Sequence, residues 1–183
     1  ICMKKRFENI SMNGRMAYVI MCIEAWLQAA YPDRDWTIVS EAMWKATEMN
    51  WGNWTEIYAV YIPHVLFSYE EYGSDPAESF SEDVYIALKK LYAGITSGNE
   101  EDPGDTLDYM LTKPHEMAMV YEGTGIGDGH ESIEIIEDVE RVLDNRGIPL
   151  PDCKRLYFSD YGQIHGWGNS FDGRSLSVIL SKQ

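Results

Sequence analysis

The stretch "NGRMAYVIMCIEAWLQAAYP", residues 13–32, decides the fold class of this chain. Its apolar residues recur with the spacing of one helical face, namely at Met16, Val19, Ile20, Ile23, Trp26 and Leu27. Tyr31 and Pro32 end the pattern, because a proline disfavours helical geometry in the residue before it. The stretch therefore predicts a core helix from Asn13 to Ala30.

The start of the chain imitates a signal peptide, since basic residues 4–6 precede the apolar residues 16–23. Glu24 follows that run and the helical pattern continues to Ala30, which favours a buried helix over a leader. No apolar run approaches the roughly 20 residues that cross a bilayer. The cysteines, which form no paired framework, are Cys2, Cys22 and Cys153. We expect a cytoplasmic protein.

Caps and apolar spacing predict further helices up to residue 147. The first two are a helix capped by Asp35 that runs to about Met49, and one capped by Asn53 that is kinked or split at Pro63. The others run from Pro76 or Phe80 through Gly94, from Thr106 to Leu111, from His115 to Glu122, and from His130 to Asn145, where Gly147 ends the last.

After residue 147 the pattern changes to short, β-leaning segments, "KRLYFS", "GQIHGW" and "SLSVILS", which Asp and Gly turns separate. These predict a small antiparallel sheet. The chain shows no internal repeat, no low-complexity tract and no interdomain linker. The predicted fold is mainly α and a single domain over residues 1–183, with a helical bundle-like core in 1–147 and a C-terminal antiparallel β element in 148–183.

The net charge of −15 is unevenly distributed. Residues 70–140 carry the whole excess of acids, while residues 1–69 and 141–183 are close to neutral. Such a field opposes nucleic acid and anionic membranes and favours a basic protein partner. The alternative is a solvated acidic surface that only aids solubility.

A glycine-rich loop, "GTGIGDG" at residues 123–129, precedes the predicted helix at His130. A dinucleotide fingerprint needs glycines at positions one, three and six, but the sixth position from Gly123 is Asp128. No lysine or arginine occurs between Pro114 and Glu140 to bind a phosphate. The loop predicts a helix end followed by a flexible turn.

Other catalytic and metal motifs fail at named positions. His115 and Glu116 open an HExxH pattern, but Met119 stands where the second histidine belongs. The segment "GNSFDG" is too long for a nucleophile elbow, and the acids near Glu100 lack the ligand pattern of an EF-hand. We therefore expect no catalytic residue, no metal and no cofactor.

The predicted helix at residues 130–145 carries stacked acids opposite its apolar stripe. Glu131, Glu134 and Asp138 follow at i, i+3 and i+7, and such like charges weaken an isolated helix. The helix dipole accounts for acids only near the start. The residues predicted to contact a basic partner are Glu131, Glu134, Glu137 and Asp138 on this helix, with Glu100, Glu101, Asp102 and Asp105 in the preceding acidic loop.

Two aromatic-rich segments, residues 24–62 and "GWGNSFDG" at 166–173, together with the acidic, helical character of most of the chain, give a family resemblance. The chain resembles the immunity proteins of bacterial polymorphic-toxin and contact-dependent inhibition systems. The resemblance implies a protein that binds and blocks a cognate toxin, often a nuclease with a basic substrate face. No family site residue carries over to this sequence.

Two other function classes stay open. A nonenzymatic adaptor or structural protein should expose an apolar or aromatic groove. An enzyme should show a pocket where polar groups converge around a histidine. The candidates for such a pocket are His64, His115, His130 and His165. An inhibitor should instead carry its acids on one exposed face.

Overall fold

The computed structural model describes residues 3–74, 80–99, 101–102 and 104–182. The α-helices there are α1 (Met3–Phe7), α2 (Met12–Ala30), α3 (Thr37–Trp44), α4 (Trp51–Tyr58), α5 (Pro63–Ser68), α6 (Glu82–Tyr92), α7 (Thr106–Val120) and α8 (His130–Asn145). The mainly helical class is thus confirmed. Cys2, the alternative helix start at Pro76, and Glu100 lie outside the described residues. Every described helix is too short or too polar to traverse a lipid bilayer.

Helix α2 is the centre of the protein, as its sequence predicts. Ser11 caps it by accepting a hydrogen bond from the Gly14 N–H at 3.1 Å. Every residue from Met12 to Glu24 is buried, because α3, α7 and α8 and a C-terminal 3-10 turn pack around the helix. Burial of large side chains such as Trp26 contributes about 1.5–3 kcal/mol each.

The helix boundaries around residues 35–68 differ from the prediction. Asn50, not Asn53, caps α4 and accepts from the Gly52 N–H at 2.9 Å. A 3-10 turn at Lys45–Thr47 ends the α3 segment before Met49. Of the two alternatives at Pro63, a kinked helix or a split into two helices, the split is confirmed, because Pro63 begins α5.

Helix α7 corrects the prediction of two short helices at Thr106–Leu111 and His115–Glu122. The helix is continuous from Thr106 to Val120, with Pro114 inside it. A proline removes one backbone hydrogen bond, but Met110, Leu111 and Met117 are fully buried along the same helix. Their burial offsets the lost hydrogen bond, so the helix continues through the proline.

The predicted C-terminal antiparallel β element is wrong. Residues 148–182 form 3-10 turns at Cys153–Leu156, Gln163–Gly166 and Leu180–Lys182, without a sheet among the described residues. Only an isolated bridge joins Ile10 to Asp160. The backbone groups of this segment bond to the helical body instead, as in Ser11 N–H to the Ser159 carbonyl at 2.8 Å.

Glu24 fastens the end of the chain to α2. Its carboxylate is fully buried and accepts from Trp44 Nε1 at 2.8 Å, Ser177 Oγ at 2.7 Å and the Val178 N–H at 2.8 Å, and also from the Ser40 hydroxyl. These donors satisfy a charge that has no basic partner among the described residues. The C-terminal segment is therefore held to the core by a buried polar network.

Candidate functional site: an acidic face on two helices

Helices α7 and α8 lie side by side and antiparallel. Lys113 Nζ contacts Asp138 Oδ2 at 2.8 Å, and the Tyr121 hydroxyl contacts Glu131 Oε2 at 3.0 Å. At a rise of about 1.5 Å per residue, these two contacts are roughly 12 Å apart along α7. The pair presents a long outer surface to solvent.

The glycine-rich loop before α8 follows a helix, not a strand, as expected from its sequence. Gly123 and Gly129 have φ angles of 68° and 66°, which favour glycine, and Gly129 is the residue before α8. Arg15 of α2 lies buried behind the loop and donates to the Gly129 carbonyl at 3.1 Å and to Ser132 Oγ at 3.0 Å. Burial lowers the pKa of Arg15. The guanidinium thus fixes the start of α8 from inside.

Helix α8 separates its two faces as its sequence predicts. The side chains buried against the core include Ile135, Ile136, Val139 and Leu143. Glu134 and Glu137 are exposed, and Glu131 and Asp138 are half-buried beside α7. The helix ends where Gly147 adopts a φ of 66° and its N–H bonds to the Asp144 carbonyl at 3.0 Å.

The four predicted acids of α8 differ in their contacts. Asp138 bonds both Lys113 and Arg141, the latter at 3.0 Å; burial raises its pKa, but these two cations outweigh that effect and lower it. A backbone hydrogen bond and then the Tyr121 hydroxyl lower the pKa of Glu131. No lysine or arginine within the described ranges pairs with Glu134 or Glu137. Those two acids are available to a partner.

Two of the four predicted loop acids, Asp102 and Asp105, shape the turn before α7. Asp105 is buried, caps the helix through the Asp108 N–H at 3.0 Å, and also accepts from the Ser97 N–H at 2.9 Å. Asp102 accepts from the Gly104 N–H at 2.9 Å. Glu101 is exposed, whereas Glu100 lies outside the described residues. The loop therefore presents Glu101 to solvent and uses Asp105 for its own structure.

Helix α7, which packs against α8, exposes a row of side chains that the sequence pattern did not predict. Tyr109, Glu116 and Met119 lie on one side of the helix, since they are separated by seven and three residues. Tyr109 is 39% exposed, Met119 47% and the adjacent Val120 40%. Dividing the helix at Pro114 hid this spacing. We call the surface the α7–α8 face: Tyr109, Glu116, Met119 and Val120 of α7, with Glu131, Glu134 and Glu137 of α8.

His130 lies at the edge of this face and contacts two acids. Its Nδ1 is 3.1 Å from Asp128 Oδ1 and 3.6 Å from Glu131 Oε2, and these contacts raise the pKa of His130, Asp128 first. The three ligand atoms lie close enough to hold a metal ion. However, exposed acidic groups often cluster in this way without a metal, and the positive end of α8 opposes a divalent ion.

The other three histidines lie in different surroundings. His64 Nδ1 lies 3.0 Å from Asp108 Oδ1. Burial, followed by the neighbouring His64, lowers the pKa of His115. His165 is exposed in a 3-10 turn. The depression of about 220 Å³ beside Asp108 is lined by acids, Tyr109, Thr112 and Lys113, without a histidine.

Comparison with known proteins does not supply a family for this geometry. No family model, no curated protein and no solved structure matches the chain.

Proposed function

We propose that this protein binds a basic protein through the α7–α8 face and, as the resemblance implies, acts as an immunity protein that blocks a cognate toxin. One observation carries the proposal. Helix α7 exposes the apolar side chains of Tyr109 and Met119, and the adjacent helix α8 exposes Glu134 and Glu137, which lack a basic partner in the described part of the chain.

This composition fits a protein interface better than a surface that only aids solubility. Interfaces place aromatic and methionine side chains at the centre and polar groups at the rim. Solubility needs acids but does not need an exposed tyrosine and methionine on the neighbouring helix. The acids can attract a basic partner over a distance and raise the association rate, while the apolar row supplies contact area.

A nuclease toxin is the partner whose surface best complements this face. Nucleic-acid-binding surfaces concentrate lysine and arginine, because they must neutralise phosphates. An acidic face that covers such a surface would exclude the nucleic acid. The charge of residues 70–140 makes this chain a poor ligand for nucleic acid itself.

A groove of about 580 Å³ between α3 and α6 favours the second candidate, a nonenzymatic adaptor. Ile38, Ala87 and Leu91 form its apolar walls, and Arg34 and Lys90 stand among the charged residues that line it. Its charges are of both signs, so they do not select a basic partner. If the protein is an adaptor that uses this groove, substitutions on the α7–α8 face should leave its binding to the partner unchanged.

The proposal is tested with the protein encoded by the adjacent open reading frame, expressed with and without this chain. We expect that protein to arrest growth alone, and this chain to restore growth and to co-purify with it. The double variant Glu134→Lys/Glu137→Lys should lose protection, whereas Glu8→Lys/Glu48→Lys, an equal charge change at exposed sites elsewhere, should keep it. Equal protection by both variants, or an adjacent product that neither arrests growth nor binds, contradicts the proposal.

A further inference from the structure

A pocket lies next to the α7–α8 face, between the start of α4 and the end of α7. Its volume is about 410 Å³, and its lining includes Trp51, Tyr121, Trp167, Glu56 and Glu122. Tyr121 also bonds Glu131 of the face at 3.0 Å. The pocket and the face are therefore continuous.

Three aromatic rings meet at this pocket. The Trp51 and Trp167 ring centroids are 5.4 Å apart at an interplanar angle of 83°, and those of Tyr121 and Trp167 are 6.3 Å apart at 86°. Trp51 and Tyr121 are buried, while Trp167 is partly exposed. Rings at right angles form a corner with fixed walls, and their electron-rich faces attract cations.

An unusual backbone places Trp167 in this corner. Ile164 and His165, just before it, have φ angles of 45° and 53°, a region that β-branched residues such as isoleucine rarely adopt. The Trp167 carbonyl accepts from the Asn13 N–H at 2.9 Å, which ties the turn to α2. Such backbone costs energy and persists only where the surrounding structure holds it, so the position of Trp167 is fixed by the fold.

The charges at the pocket are negative. Glu56 and Glu122 line it without a lysine or arginine among the lining residues. The N–H groups of Gly52 and Asn53 at the start of α4 are already satisfied by the Asn50 side chain, at 2.9 Å and 3.3 Å. The end of α7 adds the negative pole of its helix dipole. Aromatic walls with two carboxylates select a cation.

We propose that this pocket receives an arginine side chain of the basic partner, an inference that rests on the proposed function. A guanidinium is planar, so it can stack on a ring and pair with a carboxylate at the same time. A lysine ammonium is more strongly hydrated and offers no flat surface for stacking. Arginine in an aromatic pocket is also a common anchor of protein interfaces.

The test uses ethylguanidinium as the probe and the indole N–H resonances of Trp51 and Trp167 as the readout. Both resonances should shift with a Kd in the millimolar range, of order 10 mM for so small a ligand. Ethylurea, which is neutral and similar in shape, should bind at least about tenfold more weakly, because it lacks the charge.

Four variants separate the pocket from the fold and from the face. Glu122→Gln keeps the rings and should weaken ethylguanidinium binding at least about threefold, with Glu56→Gln acting in the same direction. Trp167→Leu should remove most of the binding, and its unfolding curve shows whether the fold survives. Glu137→Gln, on the face but outside the pocket lining, should leave probe binding unchanged.

Equal binding of ethylguanidinium and ethylurea, or no effect of Glu122→Gln and Glu56→Gln, overturns the arginine pocket. If the probe fails while the partner complex still depends on Glu134 and Glu137, the pocket proposal fails alone. If the probe binds at the pocket but the complex ignores the Glu134 and Glu137 changes, the proposed face fails instead.

Discussion

Helix α8 carries Glu137 and Glu140 three residues apart, and the two carboxylates have opposite environments. Glu140 is buried, accepts from the Tyr18 hydroxyl at 2.6 Å and pairs with Arg6 Nη1 at 3.0 Å. Glu137 is exposed, and no described lysine or arginine pairs with it. A buried carboxylate must be bonded to be tolerated, whereas an exposed one is solvated and remains free for a partner. Burial, not residue type, separates the acids that hold the fold from the acids left open to the proposed partner.

The largest effect is expected at Glu24, which is a buried and bonded carboxylate like Glu140. Glu24→Ala leaves the Ser40, Trp44 and Ser177 donors buried without their acceptor, so we expect a loss of about 3–5 kcal/mol in the free energy of unfolding. Urea denaturation measures it. Gln28→Ala, one turn later and partly exposed, is the control and should cost under about 1 kcal/mol. Similar midpoints for both variants would mean that the carboxylate network contributes little.

Glu140→Gln and Glu137→Gln compare the two groups on one helix. Glu140→Gln removes the charge that faces Arg6. Because Arg6 is about a quarter exposed, we expect a loss of roughly 2 kcal/mol in the free energy of unfolding, less than for a fully buried pair. The second should change stability by less than about 0.5 kcal/mol. Thermal and urea unfolding of the pair measures the difference, and equal losses would remove the distinction drawn between the faces.

Asp138 is intermediate between the buried, bonded acids and the exposed, unpaired ones, because it is partly exposed but pairs with Lys113 and Arg141. Asp138→Lys adds a third cation next to Lys113 and Arg141, and the Lys113 amine is buried. We therefore expect a loss of about 1–2 kcal/mol in the free energy of unfolding. Glu134→Lys, one turn earlier, should cost under about 0.5 kcal/mol. If Asp138→Lys were as stable as Glu134→Lys, Asp138 would belong with the free acids.

The smallest expected effect concerns pH and Asp105. Burial raises its pKa, but hydrogen bonds from Thr96, Asp108 and Ser97 outweigh that effect and hold the pKa below its usual value. The stabilisation is therefore complete above the unfolded pKa of about 3.9 and is lost as pH falls through the lower folded value. Asp105→Ala should lower the free energy of unfolding by about 1 kcal/mol at pH 7. The difference in that free energy between the variant and the natural protein should become smaller below about pH 4. A constant gap across that range would contradict the shift.

Local patterns predicted the helices that form around a strong apolar period. Residues 13–30 and 130–145 were predicted with nearly their observed bounds, because apolar spacing, caps and Gly147 agree there. The C-terminal segment has β-leaning residues, but its backbone bonds to remote partners on α2 and in the turn before it, such as the Asn9 carbonyl, which accepts from the Tyr161 N–H at 2.9 Å. Propensity contains no information about such partners.

The candidate site was predictable only in part. The acids of α8 follow from their spacing, since the same helix carries a clear apolar stripe. The pairing of Asp138 with Lys113 depends on how α7 packs beside α8, and the pocket joins Trp51, Tyr121 and Trp167 from distant parts of the chain. Such contacts arise from tertiary packing, which residue spacing in one sequence does not encode.

The central claim is that the exposed acids of α8 attract a basic partner, and the association rate with the adjacent-frame protein tests it most directly. Stopped-flow measurements at ionic strengths from about 0.03 to 0.5 M vary the screening length. We expect Glu134→Lys/Glu137→Lys to slow association at least about tenfold at low salt. The difference in association rate between this variant and the natural protein should disappear as salt rises. An association rate that neither this double variant nor salt changes would contradict the electrostatic account and favour binding at the apolar groove between α3 and α6.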